Sequence, residues 1–251
     1  MTKRAYFRFY EELNDFLPEV LRYSTIEQTF EVSPSVKDMI ESLGVPHTEI
    51  DLIIVNGASV DFTHRVDDGD RVGVYPMFEA IDISPVVRLR PDPLRVPRFS
   101  VDANLGRLAR YLRLLGFDTR YDPGSSDVEL AVSSQEERRL LLTRDVGLLK
   151  RRTITHGSFV RAVDPRAQLI EVLARFDLAG IARPFTRCTW CNGDLKPVEK
   201  EAVAGRVPAG SLERFDDFRA CVSCGRIYWE GSHIERATAF IDEVLRASRA
   251  P

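Results

Sequence analysis

The chain has 251 residues, 44% of them hydrophobic and 29% charged, a balance that suits a soluble globular protein with ample chain for a core. No apolar run approaches the roughly 18–20 residues that span a bilayer. The stretch MTKRAYFRFYEEL lacks the apolar core and small-residue cleavage site of a signal peptide, so the expected location is cytoplasmic, with no membrane partner. The net charge of −3 is unevenly spread: residues 1–94 hold 9 Lys/Arg against 17 Asp/Glu, residues 95–183 hold 16 against 11, and residues 184–251 hold 10 of each. The middle third is thus the part suited to a polyanion, with surface solubility as the plainer explanation.

In chain order, AYFRFY at 5–10 and TFEV at 29–32 read as strands. Ser33-Pro34 reads as a cap and first-turn proline for a helix over VKDMIESLG, with Val36, Met39, Ile40 and Leu43 on one face and Gly44 as the stop. LIIVNGASVDF predicts a hairpin around Asn56-Gly57, and DDGDRVGVYPMF a turn into a last strand. This order suits a small β-grasp domain over 1–83. The segment SPVVRLRPDPLRVP, 84–97, has four prolines in fourteen residues and reads as a stiff linker.

From 98 to 183 strands alternate with helices, which predicts a parallel α/β sheet. RFSV is a strand; NLGRLARYLRLLG is a helix with Leu105, Leu108, Leu112 and Leu115 on its buried face and Gly116 at its end. DTRYD, RLLLT (139–143) and SFVRAV (158–163) are further strands, and helices are expected over about 127–139, after Asp145, and over PRAQLIEVLARF. Residues 184–251 have little periodicity, carry all four cysteines, and end in a helix over ATAFIDEVLRAS.

Active sites of open parallel sheets lie beyond the carboxyl ends of the strands. Asp102 follows RFSV directly, Asp145 follows RLLLT after Arg144, and Asp127 opens the helix after DTRYD, with Glu129 two residues on. Each aspartate taken alone is an ordinary helix cap. Three at equivalent strand ends repel one another unless a cation compensates, and Mg²⁺ or Mn²⁺ suits such an oxygen-rich set. Asp164, before Pro165, reads as a cap only. Asn104 and Thr143 are candidates to orient these acids, and Arg144 is the candidate phosphate contact. Arg107, Arg110 and Arg113 recur on a face roughly opposite the leucines, either solvated or facing phosphate.

Cys188-Thr-Trp-Cys191 and Cys221-Val-Ser-Cys224 are two CxxC pairs separated by 29 residues, each followed closely by glycine. Four thiolates complete a tetrahedral shell, so structural Zn²⁺ is expected, over disulfides or redox chemistry. Trp190, Tyr228 and Trp229 either pack around the metal or stack on bases, packing being the plainer role. His233 is a spare ligand only if a cysteine is not used.

FSVDANLGRLARYLRLLGFDT, DVEL and LLLTRD, with the cysteine pairs, are similar to the PIN-like ribonuclease family known as the Mut-seven C-terminal RNase domain, over residues 98 to about 230. The stretch VNGASVDFTHRVDDGDRVGVYP resembles the ubiquitin-like sulfur carriers of thiamine and molybdopterin synthesis, and the region resembles the ubiquitin-like domain often fused to that RNase family. The diglycine that sulfur carriage requires is absent, because the chain continues as PMFEAIDISP, and a module that docks a protein partner or guides substrate is the better reading. The resemblance implies an N-terminal β-grasp domain (1–83), the linker (84–97), a PIN-like nuclease domain (98–183) and a zinc ribbon with a C-terminal helix (184–251). It implies a metal-dependent endoribonuclease acting on tRNA, rRNA or mRNA, with Asp102, Asp127 and Asp145 as catalytic acids and Mg²⁺ or Mn²⁺ ligands, and a homodimeric form. Ser125-Ser126 and Val146–Leu149 stand where many members have further acids, so a fourth ligand is not identified. The other reading is a non-catalytic RNA- or ribosome-binding adaptor that uses the ribbon and the basic surface.

Overall fold

The computed structural model describes residues 2–76, 89, 97–229 and 231–249. The predicted linker lies outside the described residues except at Leu89 and Pro97. Two compact units form, one from residues 1–95 with 127–159, the other from residues 96–126 with 160–251. The fold class is the expected one: a mixed α/β chain with an N-terminal sheet domain, parallel strands after it, and the four cysteines gathered near the C-terminus.

In the first unit, β1 (Lys3–Phe9), β2 (Thr25–Phe30), β3 (Ile50–Val55), β4 (Ala58–Val60) and β5 (Arg71–Pro76) form one sheet in the order β2-β1-β5-β3-β4. Only the β1–β5 pair is parallel among these. Alternation along β1 sends Ala5, Phe7 and Phe9 into the core, where they meet Ile40 and Met39 of α1 (Val36–Ser42) and Ile50 and Ile53 of β3. Asn56 and Gly57 both take positive φ, 50° and 87°, as a two-residue hairpin turn requires. Ser35, rather than Ser33, caps α1: its hydroxyl oxygen accepts from the Asp38 amide and its O–H donates to the Asp38 carboxylate. The sequence reading lacked the 3₁₀ turns Glu11–Phe16 and Glu19–Leu21, the first of which puts Leu13 into the core.

The same unit contains α3 (Asp127–Glu136), β8 (Leu140–Thr143), α4 (Val146–Leu149) and β9 (Gly157–Phe159), with β8 and β9 parallel. Leu141 is buried among Leu130, Leu148, Leu149 and Ile154. Strand β9 is shorter than the expected 158–163. This segment is tied to the N-terminal sheet domain by polar and aromatic contacts. Glu49, fully buried, accepts from the Phe159 amide at 2.7 Å; Lys150 donates to the Glu41 carbonyl at 2.7 Å; and Phe16 meets Phe159 edge-on at 5.4 Å. His47 lies between the Glu41 carboxylate (2.6 Å) and the Ile154 carbonyl (3.0 Å).

In the second unit, β6 (Phe99–Val101) and β7 (Thr119–Tyr121) are parallel, joined through a 3₁₀ turn (Ala103–Leu105) and α2 (Gly106–Leu114). Leu105, Leu108, Leu112 and Leu115 are all buried, as the periodicity requires. Helix α5 (Pro165–Arg175) packs against α2 and against α7 (Ser232–Ala247); Tyr111 contacts Phe240 with ring centroids 4.7 Å apart, and Arg166 pairs with Glu243. The cysteine region folds as an antiparallel three-stranded sheet, β10 (Leu195–Val198), β11 (Phe218–Cys221) and β12 (Ile227–Trp229), with α6 (Ala209–Arg214) between the first two strands. No helix of the described residues is long and apolar enough to cross a membrane.

Candidate functional site

The cysteine pairs form two loops of matching construction. In the first, the Asn192 amide donates to the Cys188 carbonyl (3.0 Å) and the Cys188 amide to the Gly193 carbonyl (2.8 Å). In the second, the Gly225 amide donates to the Cys221 carbonyl (2.9 Å) and the Cys221 amide to the Arg226 carbonyl (2.9 Å). The residue after each second cysteine takes the left-handed conformation, Asn192 at φ 71° and Gly225 at φ 69°. The first loop thus uses asparagine at the position that glycine holds in the second. Gly193 is needed for space instead, since a Cβ there would lie 2.8 Å from the Cys221 sulfur and 2.5 Å from the Ser223 hydroxyl oxygen.

All four Sγ atoms lie within 4.8 Å of one another, with 3.7 Å from Cys188 to Cys224 and 3.4 Å from Cys191 to Cys221. Sulfurs about 2.3 Å from a common tetrahedral ion would stand about 3.8 Å apart, so the cluster fits a four-thiolate metal site. Burial raises the Cys188 thiol, but hydrogen bonds from the Tyr228 hydroxyl and from the amides of Cys191 and Trp190 outweigh it and bring the group down to about 6. Burial and the neighbouring sulfurs instead push Cys191 up to about 12 and raise Cys224. The Tyr228 hydroxyl, desolvated and bonded to Cys188, also moves up to about 12.

The first loop is clamped from outside. Arg113 is only 4% exposed, not part of a solvated face; it donates to the carbonyls of Thr119 (2.9 Å), Trp190 (2.7 Å) and Thr189 (3.4 Å). Burial lowers its pKa, against the nearby Cys191 and Cys188 sulfurs, which raise it. The Asn192 side chain adds a bond to Asp118 (2.7 Å) and accepts from the Thr119 amide (2.9 Å). The three aromatic residues of the ribbon divide: Tyr228 packs on the sulfurs, Trp229 packs near Phe218, and Trp190 stays 58% exposed. His233 belongs to α7, and its side chain lies outside the described residues.

The three aspartates differ in what their side chains do. Asp145 caps α4, accepting at Oδ1 from the amides of Gly147 (2.7 Å) and Leu148 (3.2 Å), while the buried Thr143 hydroxyl oxygen accepts from the Asp145 amide (2.9 Å). Asp127, the first residue of α3, pairs with Arg151 at 3.2 Å. Both belong to the first unit. Asp102, in the second, stands at the N-terminal cap position of the turn Ala103–Leu105, yet its side chain makes no capping hydrogen bond there. Tyr121 steadies that turn by donating to the Ala103 carbonyl at 3.0 Å, and Asn104 is exposed beside it. Asp164 caps α5 as expected. Arg144 is exposed, its guanidinium carbon 5.9 Å from the Phe159 ring centroid.

The family model described as the Mut7-C RNAse domain matches residues 97–241, more than half of the chain. The chain belongs to the Mut7-C RNase family. A second model, the Mut7-C ubiquitin domain, matches residues 2–82, so the two regions occur in the order ubiquitin-like, then RNase. Comparison with curated proteins found no match. The Mut7-C match includes all four cysteines, Asp102, Asp127 and Asp145, and it therefore places the metal-fitting cluster and the acidic positions within one family region.

Proposed function

We propose that the protein is a metal-dependent endoribonuclease that hydrolyses phosphodiester bonds in tRNA, rRNA or mRNA. The match of residues 97–241 to the Mut7-C RNase model carries this reading. Asp102, Asp127 and Asp145 are the proposed acids. They offer hard oxygen donors of the kind that Mg²⁺ and Mn²⁺ prefer, whereas the four cysteines suit a structural Zn²⁺. When bound, Mg²⁺ or Mn²⁺ lowers the pKa of a water and stabilises charge on the phosphate and leaving oxygen. In this reading Asp102 is a metal ligand that directly follows β6. Asp145 commits Oδ1 to the amides of α4, which fixes the direction in which Oδ2 is presented. Thr143 steadies the Asp145 backbone, Asn104 orients Asp102, and Arg144 meets substrate phosphate. The proposed setting is the cytoplasm, with the ubiquitin-like domain as a docking module for a protein partner and a homodimer as the working form. The proposed domain limits are 1–83, 98–183 and 184–251.

Purified, zinc-loaded protein with Mn²⁺ should cut RNA, and Asp102→Asn should abolish cutting while leaving the far-ultraviolet spectrum and melting temperature unchanged. Cutting by Asp102→Asn at the wild-type rate would overturn the assignment. A second reading, a non-catalytic RNA-binding adaptor, is favoured by one observation: Asp145 and Asp127 already have structural work, as a cap and as a partner of Arg151. Calorimetric titration separates the two readings. Mn²⁺ binding that is lost in Asp102→Asn supports the enzyme, and no Mn²⁺ binding to wild type supports the adaptor.

A further inference from the structure

A cleft of about 500 Å³ in the second unit is lined by Arg110, Trp190, Arg206, Arg226, Tyr228 and Trp229, among others. None of its described lining residues is acidic. Trp190 supplies an exposed ring, with the guanidinium carbon of Arg226 4.3 Å and that of Arg110 5.9 Å from its centroid. The ring is carried by hydrogen-bonded backbone: Arg113 donates to the carbonyls of Thr189 and Trp190, and the adjoining Asn192 is bonded to Asp118 and Thr119. Arg206 spends one of its guanidinium donors on the Gly225 carbonyl (2.7 Å), which fixes the rim opposite. A large flat apolar surface beside guanidinium planes, held rigid and free of described carboxylates, has the chemistry that takes an unpaired base together with its phosphate.

A second cleft, of about 410 Å³, is lined by Asn104, Arg107, Arg110, Tyr121 and Gln168, among others. Arg110 lines both. Asn104 and Arg110 are separated by roughly 10 Å along the helical segment that they share. Arginine thus recurs along one track from the turn that follows Asp102 to the exposed ring of Trp190.

We propose that the Trp190–Arg226–Arg110 cleft seats one unpaired nucleotide of an RNA strand, and that the strand continues along α2 past Arg107 toward Asn104. The base stacks on the Trp190–Arg226 pair and the phosphate meets Arg110. This inference rests on the reading of RNA as the substrate, and it names where the strand is gripped away from the acids.

The test is fluorescence anisotropy of a labelled, unstructured oligoadenylate titrated with zinc-loaded full-length protein, with no Mg²⁺ or Mn²⁺ added so that the strand is not cut. Trp190→Ala should weaken binding about 5- to 150-fold, the loss of one base–aromatic stack, and Trp190→Phe should restore most of it. Arg110→Gln and Arg226→Gln should each lower the slope of log affinity against log salt by about 0.7. Zinc content and melting curves are recorded for every variant, and the salt slopes of Arg110→Gln and Arg226→Gln decide the matter if Trp190→Ala does not fold, unchanged slopes in both overturning the proposal. Wild-type affinity in a folded Trp190→Ala overturns the proposal. So does binding of duplex RNA with the same dependence on Trp190, which would show that no base is stacked, or binding of AMP as tight as that of the oligomer, which would make the cleft a mononucleotide site. Cutting assays with Mn²⁺ on the same preparations keep the two claims apart. Asp102-dependent cutting together with normal binding by Trp190→Ala removes the cleft assignment alone. Trp190-dependent binding without Asp102-dependent cutting removes the nuclease reading and leaves the cleft assignment standing.

Discussion

The N-terminal sheet and the cysteine ribbon reach a fixed structure by different means. The sheet buries Phe7, Phe9, Leu13, Ile40, Ile50 and Ile53 completely or nearly so, and each such side chain contributes about 1.5–3 kcal/mol on burial. At the ribbon's cysteine end, the buried cluster is Cys188, Leu195 and Cys221, with Tyr228 packed against them. That end, unlike the one built on Val203, Val207 and Phe218, has so little apolar interior that it depends on what its sulfurs hold and on what clamps it from outside. The lesson is that equal order need not mean equal sources of stability.

The strongest way to break this comparison is to remove the metal. Structural zinc contributes on the order of 10 kcal/mol in small isolated domains, so a strong chelator should abolish amide-exchange protection across 188–229 and leave β1 and β5 protected. Continued protection of β11 after chelation would show that the ribbon stands without an ion. Phe7→Ala is the converse: a loss of about 3–5 kcal/mol in denaturant unfolding, with zinc content unchanged. Arg113→Met removes the outside clamp and should cost about 2–3 kcal/mol, together with faster zinc release to a colorimetric chelator. A normal release rate would make the clamp irrelevant to the ribbon. Smaller effects separate capping from chemistry. Asp145→Ala should cost about 1 kcal/mol and Asp145→Asn much less, since asparagine also caps, yet both should end cutting. The smallest effect concerns Asp61, whose carboxyl is held below its ordinary range by the Thr63 hydroxyl and amide. Its contribution is present above the ordinary aspartate range and is lost as pH falls through the lowered value, so Thr63→Val should reduce stability slightly at pH 7 and not at pH 2.

Local features were legible in the sequence where pattern and chemistry coincide. The leucine spacing of α2, the Asn-Gly hairpin and the doubled CxxC each follow from one short stretch. The clamp was not legible. At about 100° per residue, Arg113 lies about 120° from the middle of the leucine face of α2 and Arg110 about 180°. Arg113 is therefore a border residue, and its partners at 189 and 190 are far along the chain. The cap of α1 was misplaced because Ser33 and Ser35 both precede a helix-like pattern, and only backbone geometry selects Ser35. For the acids, the sequence offers four aspartates at or near helix starts. It cannot tell that Asp145 and Asp164 cap their helices with their carboxylates while the turn Ala103–Leu105 has no side-chain cap.

The two cysteine loops have the same internal bonds but not the same surroundings. The first is held from outside by Arg113 and Asn192 and the second by Arg206 on the Gly225 carbonyl, and each carries one exposed cysteine, Cys191 or Cys224. A solvent oxidant or competing chelator therefore meets one sulfur of each pair, Cys191 or Cys224, before it meets either of the buried ones.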